Sequence, residues 1–362
     1  MKENKQFSQI VDSLVSEGVE VDKTLLKQYQ EDTLVRSVFI KVVSILGGLL
    51  GVGLFLGFLF LTLNTIINLG IIFIVLGLIS FTISFVINKS KDSAIKDGLA
   101  VALFIAGFLL VIFGIAELQG TSWNISSSAS IAFVLSVICF FVYKNQIITF
   151  LSTFNALIAV HCLIVNNHTF SVFYIFFFLL ILLTVFLFWK ETALRLSRYF
   201  TMYYVPFFFA VFLYSLVLSI IASTNTFMGL YYAPSAATLY ISVFGTIAVN
   251  LFTIHLIFKK LNITNIIVMI SIYVLAAVFM YFLGFIYPAF MVGLLFLLWS
   301  FYNQYKIGFV LSICTFIWAI GMFYYDLKIN LLEKSISLMV TGVLFLGAYW
   351  LMCKNWKEDE KE

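Results

Sequence analysis

Between residues 42 and 353 the chain consists almost entirely of apolar runs parted by short polar connections. Most are close to the roughly 20 residues that a helix needs to cross a bilayer core at 1.5 Å per residue. In lipid a spanning segment must satisfy its own backbone, which leaves helices and closed barrels. Runs of helical length predict an all-α fold, a polytopic transmembrane helix bundle. The spans fall at 42–63, 66–87, 98–116, 127–143, 147–165, 170–189, 200–222, 237–258, 265–283, 286–301, 308–325 and 335–353, twelve in all.

The stretch 265–301 is apolar for 37 residues, interrupted by Gly284 and Pro288. As one helix it would reach about 55 Å, far beyond a hydrocarbon core of roughly 30 Å. Two short spans joined by a tight turn fit better. The balance of residue types agrees: 63% are hydrophobic and 10% charged, against roughly 45–50% and 25% in soluble domains. A disordered chain, a nucleic-acid binder and a secreted disulfide scaffold are excluded. Cys139, Cys162, Cys314 and Cys353 lie in or at the ends of apolar runs without CxxC spacing, as small core residues do.

The basic residues test the span count independently. Alternate connections hold Lys89, Lys91 and Lys96; Lys144; Lys190, Arg195 and Arg198; Lys259 and Lys260; and Lys306. The connections between them hold none until Lys328 and Lys334. Adding the two ends, one face collects 19 basic residues and the other 2. The positive-inside rule then places both termini in the cytoplasm. Of the 17 acids, only Glu117, Asp326 and Glu333 fall on the outer face. Trp189, Trp299 and Trp350 sit at the cytoplasmic ends of their spans and Trp123 in an outer loop, the headgroup depth that tryptophan prefers.

Outside the bundle of residues 42–353, two segments remain. Residues 1–41 read as a cytoplasmic N-terminal helical hairpin, with Phe7, Ile10, Val11 and Leu14 forming one apolar stripe. Gly18 stops the first helix and Asp22 caps the second. The stripe either packs on the protein's own inner face or lipid, or docks a partner. No basic start precedes an immediate apolar run, so the first span is expected to act as its own insertion signal. Residues 354–362 form a charged cytoplasmic tail.

No Asp, Glu, Lys or Arg lies in the middle of a span. Ionisable groups at that depth mark proton relays and ion pathways, because lipid makes them costly. Their absence argues against a proton-driven carrier or an intramembrane protease. No HExxH, GxGxxG or P-loop motif occurs, so the sequence predicts no enzyme, no metal and no cofactor. The polar residues at depth are Asn155, His161, Asn250 and His255. His161 falls near the outer surface and His255 near the cytoplasm, too far apart to share one metal. The asparagines suit hydrogen bonds between helices, with a substrate pathway as the other reading.

Span 1 carries the small-xxx-small pairs Gly47/Gly51 and Gly53/Gly57, which predict tight helix packing. Pro206, in the first turns of its span, predicts a kink. The outer connection before the last span holds Tyr324, Tyr325, Asp326, Lys328, Glu333 and Lys334. Its two acids and two bases could pair with one another and anchor the loop, or contact a partner or ligand.

At this segment the chain resembles a known group. The run Tyr324-Tyr325-Asp326-Leu327, then Leu331-Leu332-Glu333-Lys334-Ser335 before a glycine-containing last span, is similar to the end of an uncharacterised bacterial family of multi-pass membrane proteins. Leu14-Val15-Ser16-Glu17-Gly18 leading to a glycine-rich first span fits the same family, known only as a domain of unknown function. The resemblance implies a bacterial inner-membrane location and a small membrane-anchored protein partner. It brings no catalytic residue with it. The reading reached is a structural or assembly component in the lipid bilayer that works with a membrane partner and binds no nucleic acid. The alternative is a secondary transporter of a neutral or lipid-like substrate.

Overall fold

A computed structural model describes residues 69–89, 94–120, 124–143, 145–167, 169–197, 200–224, 236–261, 265–284 and 287–326, with scattered positions at 46–62 and 332–339. Among the described residues every regular element is a helix. In chain order these are α1 (Leu69–Lys89), α2 (Ala94–Gln119), α3 (Ile125–Val142), α4 (Gln146–Asn166), α5 (Phe170–Trp189) and α6 (Glu191–Leu196). Then follow α7 (Tyr204–Ser223), α8 (Ala236–Lys260), α9 (Ile266–Gly284), α10 (Pro288–Tyr302) and α11 (Lys306–Asp326). Among the described residues, eight helices are long and apolar enough to cross a membrane. The ten expected spans from 66 to 325 each coincide with one helix, and no end differs by more than 4 residues. The N-terminal hairpin, the charged tail and all but scattered positions of the first and final spans lie outside the described residues.

The apolar stretch 265–301 divides where expected. Helix α9 stops at Gly284, and Pro288 opens α10 at its first turn, where a missing N–H costs no helical hydrogen bond. The same logic applies at Pro206. Helix α7 starts at Tyr204, so Pro206 falls in the first turn, whose amides have no intrahelical acceptor in any case.

The chain divides into two compact units. The first holds Met1–Asn167 with Met202–Phe207, and the second His168–Thr201 with Phe208–Glu362.

In the first unit α1 and α2 cross at near-contact of their backbones. A methyl placed on Gly114 would come within 2.6 Å of the carbonyl oxygen of Gly70, and one on Gly77 within 3.0 Å of that of Gly107. Glycines seven apart on each helix thus face each other twice. The glycine pairs of span 1 do something else. Among the described residues nothing lies within 4 Å of a methyl placed on Gly47, Gly51, Gly53 or Gly57, while one on Gly48 would meet Ala102. Tight packing through small residues is observed between the next two helices.

Phe81, Phe104 and Phe108 fill the gap beside the crossing, with Phe81 edge-on to Phe104 at 5.6 Å. Tyr143 joins them, and its buried hydroxyl donates to the Phe81 carbonyl at 2.8 Å. Helices α3 and α4 form a second hairpin of this unit, each with an asparagine cap. Asn124 accepts from Ser126 N and Asn145 from Ile147 N, both at 2.9 Å. These side chains satisfy amides that a helix start leaves bare.

In the second unit α10 lies at the centre. Ten of its 15 residues are buried, and it packs against α5, α8, α9 and α11. The indole of Trp299 is only 1% exposed and stacks on Phe188 at 6.0 Å. Phe208, Phe212 and Phe296 continue the aromatic cluster. The expectation of an interfacial Trp299 is therefore corrected: neighbours surround α10 on all sides, so a residue near its end is still core. Trp189, 58% exposed with the Lys190 ammonium over its ring at 5.6 Å, keeps the surface position expected of it.

Candidate functional site

Charged side chains on the long helices occur only in terminal turns: Lys89, Lys96, Asp97, Glu117, Lys259, Lys260, Lys306 and Asp326. What the spans bury instead is hydroxyl and amide. On α8 the buried Ser242, Thr246, Asn250 and Thr253 run along one face. Thr246 donates to the Ser242 carbonyl at 2.8 Å, Asn250 to that of Thr246 at 3.0 Å, and Thr253 to that of Val249 at 2.8 Å. Such bonds to the preceding turn let a polar side chain sit in a core without a partner helix. Thr184 and Ser215 do the same on α5 and α7 and also meet each other at 3.1 Å.

Asn250 is the one predicted polar residue that is fully buried. Its amide also reaches the Met291 carbonyl of α10 at 3.5 Å, and its Oδ1 has no partner. Asn155, expected as an interhelical bridge, is half-buried near the middle of α4. His161 is half-buried on α4 in the first unit, and His255 is exposed on α8 in the second. His255 Nδ1 lies 3.0 Å from the hydroxyl of Tyr273. Tyr324, Tyr325 and Asp326 form the last turn of α11, with Tyr325 77% exposed. Lys328, Glu333 and Lys334 lie outside the described residues. Cys314 is exposed on α11, unlike the buried Cys139, so it does not serve the core as expected.

A cavity of the second unit opens between the lysine-bearing ends of α8 and α11 and the end of α10, with a volume of about 710 Å³. Its walls are apolar, made by Ile257, Leu261, Phe301, Phe309 and Val310. Lys260 and Lys306 line it at either side. The Lys260 ammonium donates to the Tyr302 carbonyl at 2.8 Å and lies 4.1 Å from the centre of that ring. Ser300, also in the wall, is 1% exposed and its hydroxyl has no hydrogen-bond partner.

The turn that shapes this cavity is tight. Gln304 has φ of +56°, a left-handed conformation that costs a non-glycine residue about 1–2 kcal/mol. Tyr305 then folds back so that its N–H donates to the Ser300 carbonyl at 2.8 Å. Its ring packs on Phe208 at 5.6 Å. Burial holds the Tyr305 phenol above its usual range, Arg195 opposes that shift and Glu191 adds to it. Those two side chains pair at 2.8 Å across one turn of α6.

Of these cavity residues the sequence reading used Lys260 and Lys306 only as markers of sidedness. The available signal was that two basic connections 46 residues apart belong to one face. Ser300 carried no signal, since a serine in an apolar run reads as packing.

A family model described as Domain of unknown function (DUF4401) matches residues 37–355. No curated protein and no solved structure matches the chain.

Proposed function

Since the chain belongs to the family Domain of unknown function (DUF4401), whose description assigns no activity, we propose its role from its own residues. It is a membrane-embedded helical scaffold that assembles with a small membrane-anchored partner and performs no catalysis. Its twelve spans sit in the bacterial inner membrane with both termini in the cytoplasm. The supporting observation is where polarity resides. The described spans carry charge only in their terminal turns, and most of their buried hydroxyls bond within their own helix. A protein that moves protons or ions needs groups at depth that are kept open for the cargo.

The exposed end of α11, with Tyr325 outermost, is the partner contact of this proposal. Purification of the full chain in mild detergent is expected to bring down one membrane protein in fixed ratio. Recovery of the chain alone, at unchanged yield, overturns the scaffold reading. A second reading, transport of a neutral or lipid-like substrate, draws on the unpaired Oδ1 of the fully buried Asn250. Solute uptake by vesicles that hold this protein alone would favour it.

The topology has its own test. In a cysteine-free background, Lys190→Cys and Lys259→Cys should resist an impermeant maleimide in whole cells and react in inverted vesicles. Tyr325→Cys should do the reverse. Labelling of the first two from outside overturns the orientation.

A further inference from the structure

We propose that the cavity between the ends of α8, α10 and α11 is a binding site for one anionic phospholipid. The inference stands whether the protein scaffolds or transports. Its occupant follows from the chemistry of the walls. Five apolar side chains form a surface that suits acyl chains, and its volume of about 710 Å³ lies within the range of ligand pockets. The cavity opens at the ends of three apolar helices, the depth at which lipid headgroups lie.

Charge selects the headgroup. Lys260 and Lys306 line the cavity, no described acid does, and no described acid pairs with either lysine. Tyr302 holds the Lys260 ammonium through its carbonyl and its ring face, so the cation is positioned before any ligand arrives. Ser300 presents a buried hydroxyl that no described residue satisfies, and a phosphate oxygen is an acceptor for it. A buried donor without a partner is costly, and so is the left-handed Gln304. Both occur in the wall of this one cavity. Basic pockets between spans are known to hold such headgroups.

The full chain, freed of lipid in detergent, is titrated with phosphatidylglycerol and with phosphatidylcholine of the same acyl chains. Bound lipid is counted by native mass spectrometry and thermal unfolding is followed alongside. One phosphatidylglycerol should be retained in preference to phosphatidylcholine and should raise the unfolding temperature. The double change Lys260→Gln/Lys306→Gln should weaken it about thirtyfold, at the energy that each lysine near an anionic surface contributes.

Val310→Trp, at an exposed position of the wall, should weaken it too while leaving both lysines. Lys89→Gln, at the end of α1, should leave it unchanged. Equal retention of both lipids overturns the proposal, as does an equal loss with Lys89→Gln. So does inorganic phosphate alone producing the same stabilisation, which would mark an ion site without acyl-chain contact.

Discussion

Gly114→Ala should destabilise the protein, because forcing atoms into a packed contact costs about 1–3 kcal/mol. The added methyl meets backbone on the facing helix, the Gly70 carbonyl at 2.6 Å and Ile74 N at 3.0 Å, and backbone cannot rotate aside. Alanine gains about 1 kcal/mol over glycine in helix propensity, so the expected loss is what remains after that gain. Gly77→Ala should behave in the same direction, limited by Val111 and the Gly107 carbonyl. Gly51→Ala, where nothing lies within 4 Å, should be neutral or stabilising. Denaturant titration in mixed micelles measures all three, and an equal effect at Gly51 and Gly114 would refute the crossing.

Trp299→Ala should cost about 3–5 kcal/mol, as large-to-small changes in a closed core do. The ring is buried between Phe188 and Tyr302, and its removal leaves a cavity among side chains that cannot collapse without moving α5. Trp299→Phe should recover most of that loss. The indole Nε1 has no partner, so its deletion removes a burden along with some volume. Thermal unfolding of the two variants separates this account from an interfacial tryptophan, for which both substitutions would be mild.

Helix existence was legible because an apolar run of spanning length has few alternatives in lipid. The break at Gly284 and Pro288 was legible from length alone. Which helices touch was not. Gly47, Gly51, Gly53 and Gly57 crowd one span and attract the eye, yet the crossing uses Gly70, Gly77, Gly107 and Gly114. Their spacing of seven is split between two runs and gains meaning only when the runs are paired antiparallel. Trp299 misled for a related reason: α10 is apolar on every side, so periodicity cannot distinguish an end that faces lipid from one enclosed by neighbours. The cavity was hidden because Lys260 and Lys306, far apart in sequence, come to line one cavity only in the fold.

The internal bonding of α8 bears on how it can move. Thr246, Asn250 and Thr253 each donate to a carbonyl of their own rod, so these bonds travel with it. Swivelling α8 about its long axis would break its bonds to neighbouring helices, from Asn250 to Met291, His255 to Tyr273 and Lys260 to Tyr302, and leave these three buried donors satisfied. A polar seam that elsewhere locks neighbours in register is here a self-contained spindle.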